Sequence, residues 1–220
     1  MARVLGVLGG MGPAATTAFL ARVQALTPAG ADEDHVRVIA DINPQVPNRH
    51  TQPEAAGRTL GEMARALKTA GAQVLAMPCN TAHAHAGAIR AAGLPFIDMI
   101  AETAKAAGAT GARRVGVLAT PGAALLYAEA LAAEGLEMVA PSPAERERFM
   151  QVVFGVKAGD VGPDQRAAMR DLAQALIAAG AEAVIGGCTE VPLLLDQGDV
   201  EAPLIDSAEV LARACVAACR

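Results

Sequence analysis

Two cysteines sit where a thiol could become reactive. Cys79 stands in Met77–Pro78–Cys79–Asn80–Thr81 and Cys188 in Gly186–Gly187–Cys188–Thr189–Glu190. Each lies just past a strand-like apolar run, and a polar residue and a helix start are expected after it. A helix N-terminus stabilises a thiolate and draws its pKa below ~8.5, giving an acid–base group near neutral pH. Three plainer readings compete. Unpaired cysteines are often small buried apolar residues. Cys79, His83, His85 and Cys188 could ligate zinc, but no CxxC or HExxH spacing supports it. His83 and His85, two apart on a helix, would face different ways. A redox pair is the third reading, and a ligand-sized gap between the sulfurs exceeds disulfide reach.

Other residues could serve an anionic ligand. Gly9–Gly10–Met11–Gly12–Pro13–Ala14–Ala15–Thr16 contains GxGxxA between a strand and a helix. That pattern is a weak match to dinucleotide binding, with Asp41 ending the second strand. Gly-rich turns also serve any anion that must touch backbone N–H groups. Arg49 follows Asn43–Pro44–Gln45–Val46–Pro47–Asn48 and is either a solvated surface residue or a carboxylate clamp, since its fork matches two oxygens. Lys157, in Gly155–Val156–Lys157–Ala158–Gly159, is either a helix-end lysine facing the dipole or a second cation for the ligand. Cys215 and Cys219, four apart on the last helix, read as packing. Asp98 and Asp206 end related strands and read as caps of the helices that follow.

These residues need a frame, and the chain supplies a repeated one. Short apolar runs alternate with Ala-rich helical stretches. Val4–Leu8, Val36–Ile42, Val74–Met77, Phe96–Ile97, Val115–Ala119, Ala183–Ile185 and Leu204–Ile205 read as strands, with Gly135–Val139 a weaker candidate. The helical stretches include Ala82–Ala92, just after Cys79. Gly71, Gly93, Gly108, Gly135 and Gly180 follow helical runs, where a left-handed cap favours glycine. Strand–helix alternation of this kind predicts parallel sheets covered on both faces. Gly71 to Gly180 is a shift of 109, as is Cys79 to Cys188; Pro95–Asp98 recurs at Pro203–Asp206, shifted by 108, and Gly6–Leu8 at Gly116–Leu118, shifted by 110. Three anchors in one order at half the chain length predict a duplicated α/β unit. The expected architecture is two similar α/β subdomains with parallel four-stranded sheets, related by a pseudo-two-fold axis. One half comprises residues 1–98 with 208–220 and the other residues 99–207. Ligands of open α/β folds bind at strand carboxyl ends, so the repeat puts the two thiols on opposite walls of one cleft.

Composition narrows the partners. At 53% hydrophobic residues the chain can bury a core, which excludes disorder. A net charge of −5 leaves no global footprint for nucleic acid, and five aromatics among 220 residues leave no stacking platform. The apolar runs fall short of the ~18–20 residues of a membrane span. Met1–Ala2–Arg3 leads straight into a strand-like run, so no secretory leader and a cytoplasmic location are expected.

Taken together, Gly9–Gly10–Met11–Gly12–Pro13, Pro47–Arg49, Met77–His83, Leu118–Ala119–Thr120, Lys157 with Gly159, and Gly187–Cys188–Thr189–Glu190 resemble the cofactor-independent aspartate/glutamate racemases. The motifs keep the family's order over nearly the whole chain. The resemblance implies an isomerase acting on amino acids, with catalytic Cys79 and Cys188 and no cofactor or metal. It implies that Asn80, Thr81 and Thr189 hold the α-carboxylate and amino group, with Ala82 also at the substrate. It implies that Arg49 and Lys157 meet a side-chain carboxylate, that Met11 and Thr120 line the pocket, and that the protein is a homodimer. Asn48–Arg49–His50 and Ala123 depart from the common pattern, which leaves aspartate, glutamate or a broader set open. The expected mechanism uses one thiolate to take the α-proton and the other thiol to return one to the opposite face. Alternatives are a maleate isomerase-like or hydantoin racemase-like enzyme, a non-catalytic acidic amino-acid-binding protein, and a dinucleotide-dependent oxidoreductase. Paired cations argue for a dicarboxylate and against hydantoins.

Overall fold

A computed structural model of the chain describes residues 2–49 and 51–220; Met1 and His50, the latter one of the departures named above, lie outside them. The chain forms two compact units, residues 1–102 with 208–220 and residues 103–207. In the first unit β1 (Leu5–Gly9), β2 (Val38–Ile42), β3 (Val74–Ala76) and β4 (Phe96–Ile97) make a sheet in the order β2-β1-β3-β4. In the second, β5 (Arg114–Leu118), β6 (Glu137–Val139), β7 (Ala183–Gly186) and β8 (Leu204–Asp206) make a sheet in the order β6-β5-β7-β8. Every pairing is parallel. The two sheets have the same topology, as the sequence repeat requires.

The helices of the first unit are α1 (Pro13–Leu26), α2 (Pro53–Thr69), α3 (Ala86–Arg90), α4 (Met99–Gly108), which runs on into the second unit, and α8 (Ser207–Cys219). Those of the second are α5 (Pro121–Ala133), α6 (Pro143–Lys157) and α7 (Pro163–Ala178). Proline opens α1, α2, α5, α6 and α7, where its fixed φ suits the first turn and its missing N–H costs nothing. Alternate residues of β1 feed two cores. Leu8 packs with Leu60, Met63, Leu67 and Leu75, while Leu5 and Val7 pack with Phe19, Val23, Leu211 and Cys215. In the second unit Leu118 and Val184 pack with Phe149, Val153, Met169 and Leu172. Cys215 and Cys219 are buried in the first unit's core, as packing residues.

The duplication is visible in side-chain packing. A Cβ on Gly6 would lie 2.7 Å from Ala72 Cβ and 3.5 Å from Leu67 Cβ; one on Gly116 would lie 3.1 Å from Ala181 Cβ and 3.0 Å from Leu176 Cβ. These are the same three positions, one repeat apart. In both units glycine on a central strand lets the helix before the neighbouring central strand, α2 or α7, and its exit turn lie close against the sheet.

Three local expectations need correction. The stretch after Cys79 is a 3₁₀ turn, Thr81–His85, followed by the short α3, because His83 spends both ring nitrogens on backbone groups and keeps the turn tight. No α-helix starts after Cys188; a 3₁₀ turn spans Val191–Leu193, where the unbroken apolar run Val191–Leu195 has no helical period to sustain one. Helix α4 also runs on to Gly108, and the positive φ that ends this stretch falls at Gly111, at 83°.

Candidate active site

Each cysteine sits just beyond the carboxyl end of a central strand, β3 for Cys79 and β7 for Cys188. Both are nearly fully buried, and neither is in a disulfide. In the first unit, the Cys79 N–H donates to Met77 O at 2.8 Å. Met11, Val46, Cys79 and Ala82 belong to one apolar cluster, so the loops after β1, β2 and β3 converge there. Asn80 is buried and Thr81 half-buried beside them. The glycine-rich loop is fixed by Thr16, whose hydroxyl accepts from Gly10 N–H and donates to Gly12 O, both at 2.9 Å. Gly10 takes φ 97°, and a Cβ there would collide with the Asn43 backbone.

Arg49 is half-buried, three residues beyond Val46. Its Nε is buried and makes no hydrogen bond among the described residues. Its charge reaches His85, whose pKa is lowered by burial and then by that guanidinium. An arginine placed in this way has donor capacity left for an anion.

The sequence offers His83 a possible role as a zinc ligand, and the structure gives it another task. The Met99 N–H donates to its Nε2 at 3.0 Å, so Nδ1 carries the hydrogen and donates to Cys79 O at 2.9 Å. The ring thus ties the cysteine loop to the first turn of α4. With both nitrogens engaged it cannot ligate a metal. Among the described residues, no three His, Cys, Asp or Glu side chains are grouped to hold one. Asp98 caps α4, accepting from the Ile100 and Ala101 N–H groups.

Burial holds the His83 pKa below its ordinary 6.5, and a proton on Nε2 would face the Met99 N–H. The unfolded chain therefore binds a proton that the folded one resists. The stability His83 contributes is complete above pH ~6.5 and is lost as pH falls below it, by up to ~1.4 kcal/mol per pH unit. Urea unfolding between neutral and mildly acidic pH should show this slope, reduced in His83→Gln; equal slopes would show that His83 does not carry it.

In the second unit the Cys188 loop is held against β5. Gly187 N–H donates to Leu118 O at 2.9 Å, and a Cβ on Gly187 would lie 2.8 Å from the Tyr127 ring and 3.0 Å from Ala119. The Cys188 thiol donates to Glu190 Oε2 at 2.9 Å, and the Thr189 hydroxyl reaches the same oxygen at 3.5 Å. Lys157, the last residue of α6, pairs with Glu190 Oε1 at 2.9 Å. Thr120 caps α5, its hydroxyl accepting from the Ala123 N–H at 3.4 Å.

This arrangement reverses one expectation. Cys188 has no helix N-terminus to lower its pKa. Burial pushes the thiol well up, and the Glu190 carboxylate pushes it further. At rest it is a protonated thiol. Glu190 is the functional candidate to which the sequence reading gave no role. Its one signal was an acid two residues beyond a thiol in a loop that already held the motif.

In the described residues, then, Met11, Arg49, Cys79, Asn80, Thr81 and Ala82 gather in the first unit. Lys157, Cys188 and Thr189 gather around Glu190 in the second, and Thr120 lies two residues beyond Leu118, the end of β5, to which Gly187 is hydrogen-bonded. Comparison with known proteins bears on what such groups do. The family profile described as Asp/Glu/Hydantoin racemase matches residues 8–215. The broad specificity amino-acid racemase RacX of Bacillus subtilis is 28% identical over 225 residues, covering 97% of this chain and 96% of that one. The structure of the Picrophilus torridus aspartate racemase superposes with a TM-score of 0.84 at 27% identity, covering 99% of this chain and 94% of that one. That of an aspartate racemase homologue from Pyrococcus horikoshii superposes at 0.83 with 26% identity, covering 99% of each chain.

Proposed function

The chain belongs to the Asp/Glu/Hydantoin racemase family, and from that premise we propose that it is an amino-acid racemase that inverts the α-carbon of aspartate or glutamate without a cofactor, using Cys79 and Cys188. The observation that carries this reading is the matched placement of the two thiols, each buried at the carboxyl end of the same strand of a repeated sheet. In this reading one sulfur removes the α-proton from one face and the other sulfur supplies a proton to the opposite face. A single base tends to return the proton where it came from, so inversion needs two.

The carbanion formed between these steps requires charge stabilisation. Asn80, Thr81 and Thr189 have amide and hydroxyl groups suited to the α-carboxylate, where the charge accumulates. Arg49 and Lys157 are the cations for the side-chain carboxylate, and the uncommitted Nε of Arg49 supports its share. The cytoplasm, where thiols stay reduced, suits this chemistry. The test is incubation of the purified protein, with no cofactor added, with each enantiomer of aspartate and glutamate, followed by chiral chromatography. Formation of the opposite enantiomer is expected, with deuterium at Cα when the solvent is D2O. Absence of inversion for every proteinogenic amino acid would overturn the reading.

A homodimer is part of the proposal, and α5 supports it. One stripe of this helix, Ala123, Tyr127 and Leu131, is buried, and Glu129 is its only charged residue. A helix apolar all round is ordinarily covered on both sides. Here Leu125 is 70% exposed beside an 800 Å³ groove lined by Ala124, Ala128, Met138 and Met150, with Arg146 and Glu147 at its rim. These adjacent opposite charges suit a two-fold pairing in which Arg146 of one copy meets Glu147 of the other. Light scattering should give about twice the 22.3 kDa chain mass, and Leu125→Glu should give the monomer. A monomeric wild type, or a Leu125→Glu dimer, would count against this face.

A further inference from the structure

Two side-chain nitrogens of the first unit are buried on adjoining segments with bonding capacity to spare. Arg49 Nε and His85 Nε2 are both shielded from solvent, and neither makes a hydrogen bond among the described residues. Buried polar atoms are nearly always satisfied, so such a pair is suited to a ligand. The fold brings the two segments together. Arg49 lies in the turn closed by the Gln52 N–H donating to Asn48 O at 2.8 Å, which leads directly into α2. His85 ends the 3₁₀ turn after Cys79, and its ring lies on α2 at Gly57, where an added Cβ would be 3.3 Å from Nδ1. Glycine inside a helix is unfavourable relative to alanine, and here it leaves the ring its seat. Val46, Ala56 and Ala82, close in sequence to Arg49, Gly57 and His85, pack in one cluster with Cys79.

We propose that His85 is a specificity-determining residue, which with Arg49 forms the subsite for the side-chain carboxylate of an acidic substrate and takes up a proton when that carboxylate arrives. The inference rests on the racemase reading for the identity of the ligand. Arg49 Nε can only donate, so its partner is an acceptor. His85 can donate from Nε2 as the neutral ring or as the cation. A carboxylate has an oxygen for each and answers the guanidinium charge.

The charged groups facing His85 come from two elements. Burial opposes a proton on the ring most, the Arg49 guanidinium from the loop after β2 opposes it next, and Glu54, one turn before Gly57 on α2, favours it. The ring is therefore neutral near neutral pH. A carboxylate at the two nitrogens changes this balance. It offsets the guanidinium charge and attracts the proton itself, so binding raises the His85 pKa. The sign follows from linkage. The added affinity is complete below the free pKa and is lost as pH rises through the bound one. A neutral side chain brings no such charge, so selection of acidic substrates sharpens as pH falls. The proton comes from solvent and returns to it on product release; the inversion itself does not use it.

The test is the titration of His85 by NMR of isotope-labelled histidine, with the signal assigned by its loss in His85→Gln. It is run with and without saturating succinate, a dicarboxylate with no amino group, and with succinamide, its neutral diamide. The pKa should lie below 6.5 in the free protein. It should rise by at least about 1 with succinate, which is about tenfold in succinate affinity, and should not move with succinamide. In the racemase assay the aspartate KM should rise with pH between about 6 and 8. In His85→Leu it should be higher at the acid end and independent of pH. His85→Gln keeps a donor that does not titrate, so it should restore part of the affinity without the pH dependence, a split that a packing role would not produce. An unmoved His85 with succinate, an equal rise with succinamide, or a pH-dependent KM that survives His85→Leu would overturn the proposal. A succinate response without racemisation would leave the subsite and remove the racemase. Racemisation of aspartate with an unmoved His85 would do the reverse.

Discussion

Removing either Cys79 or Cys188 is expected to abolish inversion in both directions. A general base contributes roughly 10²–10⁴-fold, and inversion uses one sulfur as base and the other as acid, so Cys79→Ala and Cys188→Ala should each lose at least about 10³-fold in kcat. The isotope pattern is the sharper signature. With one sulfur left, the protein can still take the α-proton from the enantiomer that presents it to that sulfur. The thiol exchanges with D2O and returns a deuteron to the same face. Each single variant should therefore label one enantiomer without inverting it, and the two variants should label opposite enantiomers. The double variant should label neither. Proton NMR of the α-position in D2O reads this directly. Labelling of the same enantiomer by both variants would place the two sulfurs on one face of the substrate and end the two-base account.

Loss of the Arg49 guanidinium should be the next largest effect. A charge-assisted contact to a carboxylate is worth about 3 kcal/mol, which at ~1.4 kcal/mol per decade is about 10²-fold in kcat/KM. Arg49→Leu should lose that factor for aspartate and glutamate, chiefly through KM, and little for alanine. Lys is a poor substitute at a forked contact, so Arg49→Lys should recover only part of it. Equal losses for acidic and neutral substrates, measured as the ratio of kcat/KM values, would show that Arg49 does not read the side chain.

Much of this molecule was legible in the chain. The repeat anchors at Gly6 and Gly116, Gly71 and Gly180, and Cys79 and Cys188 led to two sheets of identical strand order because a duplicated sequence repeats its packing constraints as well as its motifs. The strand ends that carry the thiols followed from this. What failed was local. His83 reads as a helical residue or a metal ligand in sequence, and only the fold brings the Met99 amide to its second nitrogen. The acidity of Cys188 was inferred from a helix that does not form. Its environment is set instead by burial and by Glu190, two residues away, and Lys157 reaches that carboxylate from the end of α6, thirty-three positions earlier. Charge networks between distant segments leave no periodic trace.

The closing helix has a consequence for how the molecule is made. Residues 103–207 form the second unit as one uninterrupted stretch. The first unit takes Leu211, Ala212, Cys215, Val216 and Cys219 into the core around Leu5, Val7 and Phe19, and the Arg3 N–H donates to Cys219 O at 2.8 Å. On the ribosome, then, the half translated second has all of its residues first. The half translated first must wait for residues 207–219 to complete the core that α1 covers only in part.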